Sequence, residues 1–424
     1  MKYHNRIADR LLKEKLEAMG AVLIEGPKAC GKTTTAEQQA KSIIYLDDPS
    51  KKDQYSLMAQ TDISILLQGA VPRLIDEWQE IPQLWDAIRF TVDHKEGDGQ
   101  FLLTGSALPV NTEEIHHTGT GRFGWLTMRP MSLWESGDST GEIRLSSLFS
   151  GQPEIGAKSD LDLRRLAYLI CRGGWPKAID KNSENAALLQ VYEYYRAIVD
   201  RDISRVDNVR RDTQRAMRIM QSYARHQGAQ VSIATIKSDI AANEADEVSN
   251  PTIESYLTAL RKIFVIEDMR AWNPNLRSKT AIRSSDTRYY VDPSIAVAAM
   301  GLGPNDLIND LSTMGLFFET LCVRDLRVYA DALGGNVYHY RDKNGLECDA
   351  VVHLRNGSYG LIEIKLGGST LIEEGAKTLT SLTELIDTTR MKSPSFRMIL
   401  TGVGDFAYRR PDGIYVVPVG ALRE

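Results

Sequence analysis

Residues 26–33 form the most distinctive chemical motif of the sequence. They read Gly-Pro-Lys-Ala-Cys-Gly-Lys-Thr, a complete G-x-x-x-x-G-K-[ST] motif. Its glycines allow backbone N–H groups to turn toward phosphate oxygens. Lys32 can reach the β and γ phosphates of a nucleotide, and the Thr33 hydroxyl suits the coordination of Mg²⁺. The alternative is an ordinary glycine turn before a helix. We predict that ATP and Mg²⁺ bind to this phosphate loop through Gly26, Pro27, Lys28, Ala29, Cys30, Gly31, Lys32, Thr33 and Thr34. Thr34 is the weaker candidate for the metal.

Two acids end a short apolar run downstream of the phosphate loop. The run Leu74-Ile75 is followed directly by Asp76 and Glu77. In a nucleotide site of this kind, the first acid holds the Mg²⁺ shell through water and the second polarises the attacking water. We therefore predict that Asp76 helps to bind the metal and that Glu77 is catalytic. The alternative is a solvated strand end.

Two hydroxyl side chains and one arginine complete this candidate site. Thr104 and Ser106 close the apolar run 100–107, at the strand end where a parallel sheet presents its ligands, so either could sense the nucleotide. A hydroxyl that caps the next turn is the alternative. Arg122 lies in a glycine-rich stretch, which would let its side chain reach a phosphate and stabilise charge during transfer. A surface arginine in a flexible loop is the alternative.

A second set of acids, with a lysine, lies near the C-terminus. Asp349 lies in one predicted strand, and Glu363 and Lys365 lie in the next. Because alternate side chains of a strand share a face, these residues can meet around a hard cation, with Glu319 as a supporting acid. Lys365 would orient or activate water for attack on a phosphodiester. Glu347 shares a face with Asp349. It is either a residue that supports the metal ligands or simply a charge at the edge of the strand. Ordinary alternation on a solvated strand would produce a similar pattern.

The elements that must position these residues differ along the chain. Alternating strand and helix patterns over residues 1–135 predict a parallel α/β sheet. Residues 136–205 read as a linker followed by helices. Residues 206–300 contain three helical stretches and two strands, which suggest a winged helix. Basic residues around its wing are candidates for DNA contact: Arg270, Arg277, Lys279, Arg283 and Arg288. A winged helix that only packs within the protein is the alternative.

Composition sets outer limits on function. A chain of 424 residues predicts two to four domains. The balance of 51 basic and 56 acidic residues, a net charge of -5, provides no global basic field for nucleic acid. The cysteines Cys30, Cys171, Cys322 and Cys348 have no C-x-x-C spacing, which argues against a zinc site or a disulfide framework. Since no apolar stretch could span a bilayer and no signal peptide is recognisable, we predict a cytoplasmic protein without a membrane partner.

Several motifs in order carry a family resemblance. The phosphate loop, the Leu-Ile-Asp-Glu and Leu-Thr-Gly-Ser-Ala runs, and residues 121–123 and 129–135 together resemble a group of prokaryotic AAA-type ATPases. Residues 173–176, 195–202 and the C-terminal acids extend the resemblance across essentially the whole chain. It implies an AAA-type ATPase sheet and a C-terminal domain of unknown function with a restriction-endonuclease-like core. Residues 301–424, which read α-β-β-β-α-β, match the PD-(D/E)xK nuclease order.

The predicted fold class is α/β, with four domains at 1–135, 136–205, 206–300 and 301–424. The leading hypothesis is Mg-dependent ATP hydrolysis coupled to a DNA-acting, nuclease-like C-terminal domain. The alternative is a nucleotide-dependent switch whose C-terminal domain binds a protein or nucleic acid without cleaving it. Candidate partners are therefore double-stranded DNA and a protein. An oligomer would decide whether Arg122 acts on its own site or on that of a neighbour.

Overall fold

The computed structural model contains both helices and strands and describes residues 3–106, 118–151, 153, 155–241, 248–273, 285–389 and 391–424. Its strands are β1 (Ala21–Glu25), β2 (Ser42–Tyr45), β3 (Arg73–Asp76), β4 (Phe101–Gly105), β5 (Phe123–Thr127), β6 (Ile143–Arg144), β7 (Gly335–Arg341), β8 (Glu347–Leu354), β9 (Tyr359–Lys365), β10 (Phe396–Thr401), β11 (Tyr408–Arg409), β12 (Tyr415–Pro418) and β13 (Leu422–Arg423). Its α-helices are α1 (Ile7–Leu16), α2 (Lys32–Glu37), α3 (Lys52–Asp62), α4 (Leu84–His94), α5 (Leu145–Ser150), α6 (Leu163–Arg172), α7 (Pro176–Ile179), α8 (Glu184–Ala197), α9 (Ile203–Arg205), α10 (Thr213–Arg225), α11 (Ile233–Ala241), α12 (Asn250–Lys262), α13 (Pro293–Met300), α14 (Pro304–Asn309), α15 (Leu311–Ala332) and α16 (Ser369–Leu385). Short 3-10 turns lie at Ile63–Leu67, Trp78–Glu80 and Val419–Ala421, and a π-helical turn lies at Ile198–Asp202.

The chain divides into two units that are each discontinuous in sequence. The first unit comprises Met1–Pro130, Asp200–Arg211 and Thr258–Val265. The second comprises Met131–Val199, Asp212–Leu257 and Ile266–Glu424. The division into four domains stays a prediction. Among the helices that the structure describes, none is long and apolar enough to cross a membrane.

Strand β1 lies inside the sheet of the first unit, and its sequence explains why. Val22, Leu23 and Ile24 are all buried, as expected for a parallel strand that is covered on both faces. The five-stranded sheet has the order β2-β3-β4-β1-β5, and each neighbouring pair is parallel. The carboxyl ends of all five strands therefore lie along one edge, where sheets of this type bind ligands. The parallel α/β architecture predicted for this region is confirmed.

An aromatic cluster anchors the chain just beyond β3. Trp78 is buried and lies 5.0 Å from Trp85, ring centre to ring centre. Trp85 in turn stacks on Phe123 at 4.0 Å. Aromatic packing of this kind stabilises Trp78 beyond the effect of burial alone. Since Glu77 directly precedes Trp78, its position in the backbone is fixed by this packing.

The second unit contains a six-stranded mixed sheet in the order β11-β12-β10-β9-β8-β7. Strand β9 pairs antiparallel with β8 and parallel with β10. Along the chain, α15, β7, β8, β9, α16 and β10 follow in the predicted α-β-β-β-α-β order. The assignment of this sheet to a nuclease-like fold stays a prediction.

Three helices occupy the predicted winged-helix region. Helices α10, α11 and α12 are followed by two segments that are joined antiparallel at Ile266–Tyr290 and Met269–Thr287. In α12, Ile253, Tyr256, Leu257, Ala259 and Leu260 are buried, and the polar side chains between them are partly exposed. The winged-helix assignment itself stays a prediction.

The four cysteines are free thiols, and all of them are buried. Burial raises the pKa of Cys171 to about 12 and holds those of Cys322 and Cys348 well above the usual value. The Cys348 Sγ lies 3.4 Å from the Ile362 carbonyl oxygen and 3.5 Å from that of Ala350. These three thiols are therefore neutral and unreactive in the folded protein.

Candidate functional site

The phosphate loop joins the end of β1 to the start of α2. Gly26 has a φ of +149°, and a Cβ there would lie 2.0 Å from the Met128 carbonyl oxygen, so only glycine fits. Gly31, with a φ of +104°, precedes α2 in a left-handed conformation. Cys30 is buried, whereas Thr34 is exposed. The sequence pattern of the loop thus follows from a tight backbone path against the chain after β5.

Lys32 and Thr33 make the two contacts that define the loop. The Lys32 Nζ donates hydrogen bonds to the carbonyl oxygens of Gly26 and Pro27, both at 2.9 Å, and the side chain is buried. The Thr33 hydroxyl donates to the Asp76 Oδ1 at 2.7 Å. The structure therefore places the two predicted Mg²⁺ ligands in direct contact beside the predicted phosphate-binding lysine.

Asp76 ends β3 next to Thr104 of β4, its register neighbour. The Thr104 hydroxyl donates to the same Oδ1 that accepts from Thr33. Burial raises the pKa of Asp76, and the hydroxyl groups of Thr104 and Thr33 partly oppose that rise. Carboxylate and hydroxyl oxygens are ligands that Mg²⁺ prefers, so Thr33 and Asp76 fit this metal. Thr104 belongs to the site through its bond to Asp76.

Glu77 follows Asp76 in a left-handed conformation, with a φ of +54°. Such a backbone is uncommon for a residue other than glycine, and it often accompanies a functional site. The Glu77 Oε2 accepts a hydrogen bond from the Ser106 hydroxyl at 3.2 Å and another from the Gln79 amide. Ser106 is thus brought to the site as predicted. Gln79 was not predicted, because a glutamine beyond a strand end has no distinctive pattern.

A cavity of about 850 Å³ opens beside this edge of the first unit. Lys28, Glu77 and Ser106 line it together with Asp202 and Arg205. The Lys28 Nζ and the Asp202 Oδ1 form an ion pair at 2.7 Å, although the two residues are 174 positions apart. Neither Asp202 nor Arg205 was predicted to belong to this site. Only a long-range contact could have revealed either residue.

Arg122 does not lie at this edge of the sheet. It directly precedes β5, whose first residue pairs with Ala21 at the start of β1. Its Nε forms an ion pair with the Asp93 Oδ1 at 2.8 Å, and its Nη1 donates to the Thr120 carbonyl oxygen. The amino and carboxyl ends of a five-residue strand are about 16 Å apart. Contrary to the prediction for its own site, Arg122 therefore lies at the edge opposite the phosphate loop.

Arg6 supports the phosphate loop from the segment before α1. Its side chain is buried, the Nη1 donates to the Cys30 carbonyl oxygen at 2.8 Å, and the Nη2 donates to the Arg129 carbonyl oxygen at 2.8 Å. Two charge-assisted hydrogen bonds from one planar group fix both carbonyls relative to each other. Arg6 was not predicted, since a single arginine before a helix carries no signal.

In the second unit, Lys365 lies between two carboxylates of the predicted C-terminal set. Its Nζ is 2.7 Å from the Glu363 Oε2 and 3.1 Å from the Asp349 Oδ2. The Asp349 Oδ2 also accepts from the Ile364 backbone N–H at 2.7 Å. Burial alone would lower the pKa of Lys365, but the two carboxylates raise it above its ordinary value. The structure thus brings Lys365 into contact with two of the predicted carboxylates.

Glu319, the remaining acid of the set, is half-buried and accepts a hydrogen bond from the Tyr289 hydroxyl. Burial and the charge of Asp349 raise the pKa values of Glu319 and Glu363. The Glu363 Oε1 is buried without a hydrogen-bond partner in the described structure, which suits a cation. Yet no group of three or more His, Cys, Asp or Glu side chains in the described residues is arranged to hold a metal ion. In this conformation Lys365 neutralises the acids.

The basic residues of the predicted wing are only partly available. Arg277, Lys279 and Arg283 lie outside the described residues. Arg288 is 14% exposed and pairs with Asp268 at 3.0 Å. The prediction that Arg288 contacts DNA phosphates is therefore not supported, because its guanidinium is held inside the unit.

Comparison with known families divides the chain into three matched regions. Residues 19–136 match the family described as AAA domain. Residues 163–306 match a domain of unknown function (DUF8612). Residues 314–422 match another domain of unknown function (DUF4143).

Known relatives are similar over most of their length. Uncharacterized proteins of Mycobacterium bovis and Mycobacterium tuberculosis are each 24% identical over 369 residues, which are 86% of this chain and 74% of the relative. A Walker-type ATPase of Pyrococcus abyssi is 13% identical over 70% of this chain and 96% of its own, with a TM-score of 0.42. The Orc1 protein of Aeropyrum pernix, solved in complex with DNA, is 14% identical over 73% and 95%, with a TM-score of 0.25. Taken with the parallel sheet, the family match supports an AAA-type P-loop ATPase domain over residues 19–136.

Proposed function

We propose that the first unit binds Mg-ATP and hydrolyses it. The observation that carries this proposal is the 2.7 Å contact between the Thr33 hydroxyl and Asp76, next to the phosphate loop and to Glu77. Thr33 and Asp76 would hold Mg²⁺, which supplies positive charge for the phosphates when it is bound. Lys32 binds the β and γ phosphates, and Glu77 accepts a proton from the attacking water.

Nucleotide binding and hydrolysis by three variants of the full chain test this proposal. We expect Lys32→Ala to weaken Mg-ATP binding by more than about tenfold, since it removes charge-assisted hydrogen bonds. We expect Glu77→Gln to bind Mg-ATP normally but to hydrolyse it at least about a hundredfold more slowly. Lys41→Ala, which changes an exposed lysine of the same unit, is the matched control. Binding and hydrolysis that are equal in wild type and Lys32→Ala would refute the proposal.

We extend the proposal to the second unit as a site for DNA phosphodiesters. Asp349 and Glu363 would hold a divalent cation, Glu319 would support them, and Lys365 would orient water for attack on the phosphodiester. The convergence of these side chains and the unpartnered Glu363 Oε1 support this extension. Turnover of ATP in the first unit would then control the action of this site on double-stranded DNA.

A nucleotide-dependent switch that does not cleave is the second candidate function. The observation that favours it is that Lys365 already pairs with both Asp349 and Glu363. Side chains that are paired in this way can stabilise the fold without a metal ion. In this case the second unit would bind a protein or nucleic acid in a manner that depends on the nucleotide of the first.

Cleavage of double-stranded DNA with Mg²⁺ or Mn²⁺ separates the two functions. We expect cleavage that is lost in Asp349→Ala and kept in Glu347→Ala, whose side chain lies on the same strand and is 51% exposed. Absence of cleavage by a wild-type protein that hydrolyses ATP would decide for the switch. Equal cleavage by all three proteins would indicate a contaminant and contradict the assigned site.

A further inference from the structure

The ion pair between Lys28 and Asp202 ties the phosphate loop to a distant segment of the same unit. The Nζ–Oδ1 distance is 2.7 Å, the Lys28 side chain is 46% exposed and that of Asp202 is 13% exposed. Lys28 is the third residue of the phosphate loop, and Asp202 ends the π-helical turn Ile198–Asp202. Turns of this type are rare and frequently accompany functional sites. The pair thus joins Lys28, whose ammonium group can bind a phosphate, to Asp202, whose carboxylate cannot.

The cavity beside the loop is acidic. The lining residues include the acids Asp47, Glu77, Glu80 and Asp202, but Lys28 and Arg205 are the only lysine or arginine among its described lining residues. Glu80 pairs with Lys52 at 2.7 Å, so part of this charge is neutralised from outside the cavity. Asp202, by contrast, takes up one of the two lining cations. An entering triphosphate therefore meets a carboxylate that competes for the same ammonium group.

We propose that the Lys28–Asp202 pair is a latch that the phosphates of the nucleotide open. This inference rests on the proposed nucleotide site and adds a positioning residue to it. In the closed latch, Asp202 holds the Lys28 ammonium. When the nucleotide binds, its phosphates take over that ammonium, and the Asp202 carboxylate loses its partner. Asp202 thus lowers nucleotide affinity and makes segment Asp200–Arg211 respond to nucleotide.

Equilibrium binding of Mg-ADP and of a slowly hydrolysed Mg-ATP analogue to the full chain tests the latch. We expect Asp202→Asn to tighten binding about two- to fivefold, the range that a partly exposed ion pair can contribute. Asp202→Glu, which keeps the charge, is expected to restore wild-type affinity. Asp200→Asn is the matched control, because it removes an exposed carboxylate two residues away that does not line the cavity. In a Lys28→Ala background, the Asp202 substitution is expected to lose its effect.

The outcomes separate the latch from the nucleotide site on which it rests. Unchanged or weaker binding by Asp202→Asn, while Lys32→Ala abolishes binding, overturns the latch and leaves the nucleotide site intact. An equal gain in affinity from Asp200→Asn also overturns it, since net charge would then be the cause. Wild-type binding by Lys32→Ala refutes the proposed function itself.

Discussion

At the scale of single residues, the edge of the sheet on which an arginine lies decides which phosphate it can reach. Arg122 lies before β5 and pairs with Asp93, whereas Arg205 lines the cavity that also contains Glu77. A positive charge near the transferred phosphate stabilises the transition state more than the bound substrate. Arg205 is therefore better placed than Arg122 for that role within one chain.

Substitution of each arginine by alanine tests this assignment. We expect Arg205→Ala to lower the kcat for ATP hydrolysis about tenfold or more, while Arg122→Ala keeps the wild-type kcat. Arg210→Ala, an exposed arginine of the same segment, is the control for loss of charge. Steady-state hydrolysis at saturating Mg-ATP measures the three effects. If Arg122→Ala is inactive and an equal amount of Lys32→Ala chain restores its activity, Arg122 acts on the site of a neighbouring copy instead.

At the scale of elements, the segment before α1 holds the phosphate loop in shape. Arg6 joins the Cys30 carbonyl in the loop to the Arg129 carbonyl just beyond β5. Such support favours ligand binding, because a loop whose amide groups are already held in place loses less conformational entropy when the ligand binds.

We expect Arg6→Ala to destabilise the first unit by about 2–4 kcal/mol, because one buried and one partly buried carbonyl group lose a charged donor. It should also weaken Mg-ATP binding. Arg10→Ala removes a half-exposed arginine that pairs with Glu14 within α1, and its expected cost is less than about 0.5 kcal/mol. Urea unfolding with and without Mg-ATP measures both variants. Equal stability of the two would show that Arg6 does not support the loop.

Local patterns in the sequence were sufficient to predict the sheet of the first unit and to single out most of the residues that lie together beside the phosphate loop. The phosphate loop and the Asp76-Glu77 pair each depend on a few neighbouring residues, so their types and spacing carry the signal. The error at Arg122 has a physical reason: strand β5 is short and contains Gly124, so the stretch resembled a flexible loop. A strand that starts at Phe123 places the residue before it at the amino edge of a parallel sheet.

Residues that act across long sequence separations could not be predicted in this way. Asp202 and Arg205 line the cavity, but they lie in the segment Asp200–Arg211, which follows Met131–Val199 of the second unit in the sequence. Tyr289 binds Glu319 by the same kind of distant contact. Asp349, Glu363 and Lys365 could be singled out because strand alternation is local, but the pairing of Lys365 with both acids depends on packing.

At the scale of the whole molecule, a buried charge network links distant segments of the second unit. The Asp292 carboxylate accepts from the Arg324 Nη1 at 2.8 Å and from the Gly174 backbone N–H at 2.9 Å. The Asp325 carboxylate pairs with Arg324 at 2.7 Å and accepts from the Leu133 backbone N–H at 3.0 Å. Arg324 is almost completely buried. One network thus connects Gly174, Leu133, Asp292 just before α13, and Arg324 and Asp325 of α15.

We expect Arg324→Ala to destabilise the second unit by about 3–5 kcal/mol, because it leaves two buried carboxylates without their cation. Arg341→Ala is the control. The Arg341 side chain is 46% exposed and pairs with Glu347, so we expect the free energy of unfolding to fall by less than about 1 kcal/mol. Denaturant unfolding compares the two. A small effect of Arg324→Ala would mean that the network is not needed for the stability of this unit.

The burial of every cysteine gives the molecule a built-in chemical reporter. Cys30 lies in the first unit, and Cys171, Cys322 and Cys348 lie in the second. A maleimide can reach these sulfur atoms only when the surrounding structure opens. Pulse labelling followed by peptide mass mapping would therefore record, from one sample, how often each unit opens and whether nucleotide closes the first without closing the second.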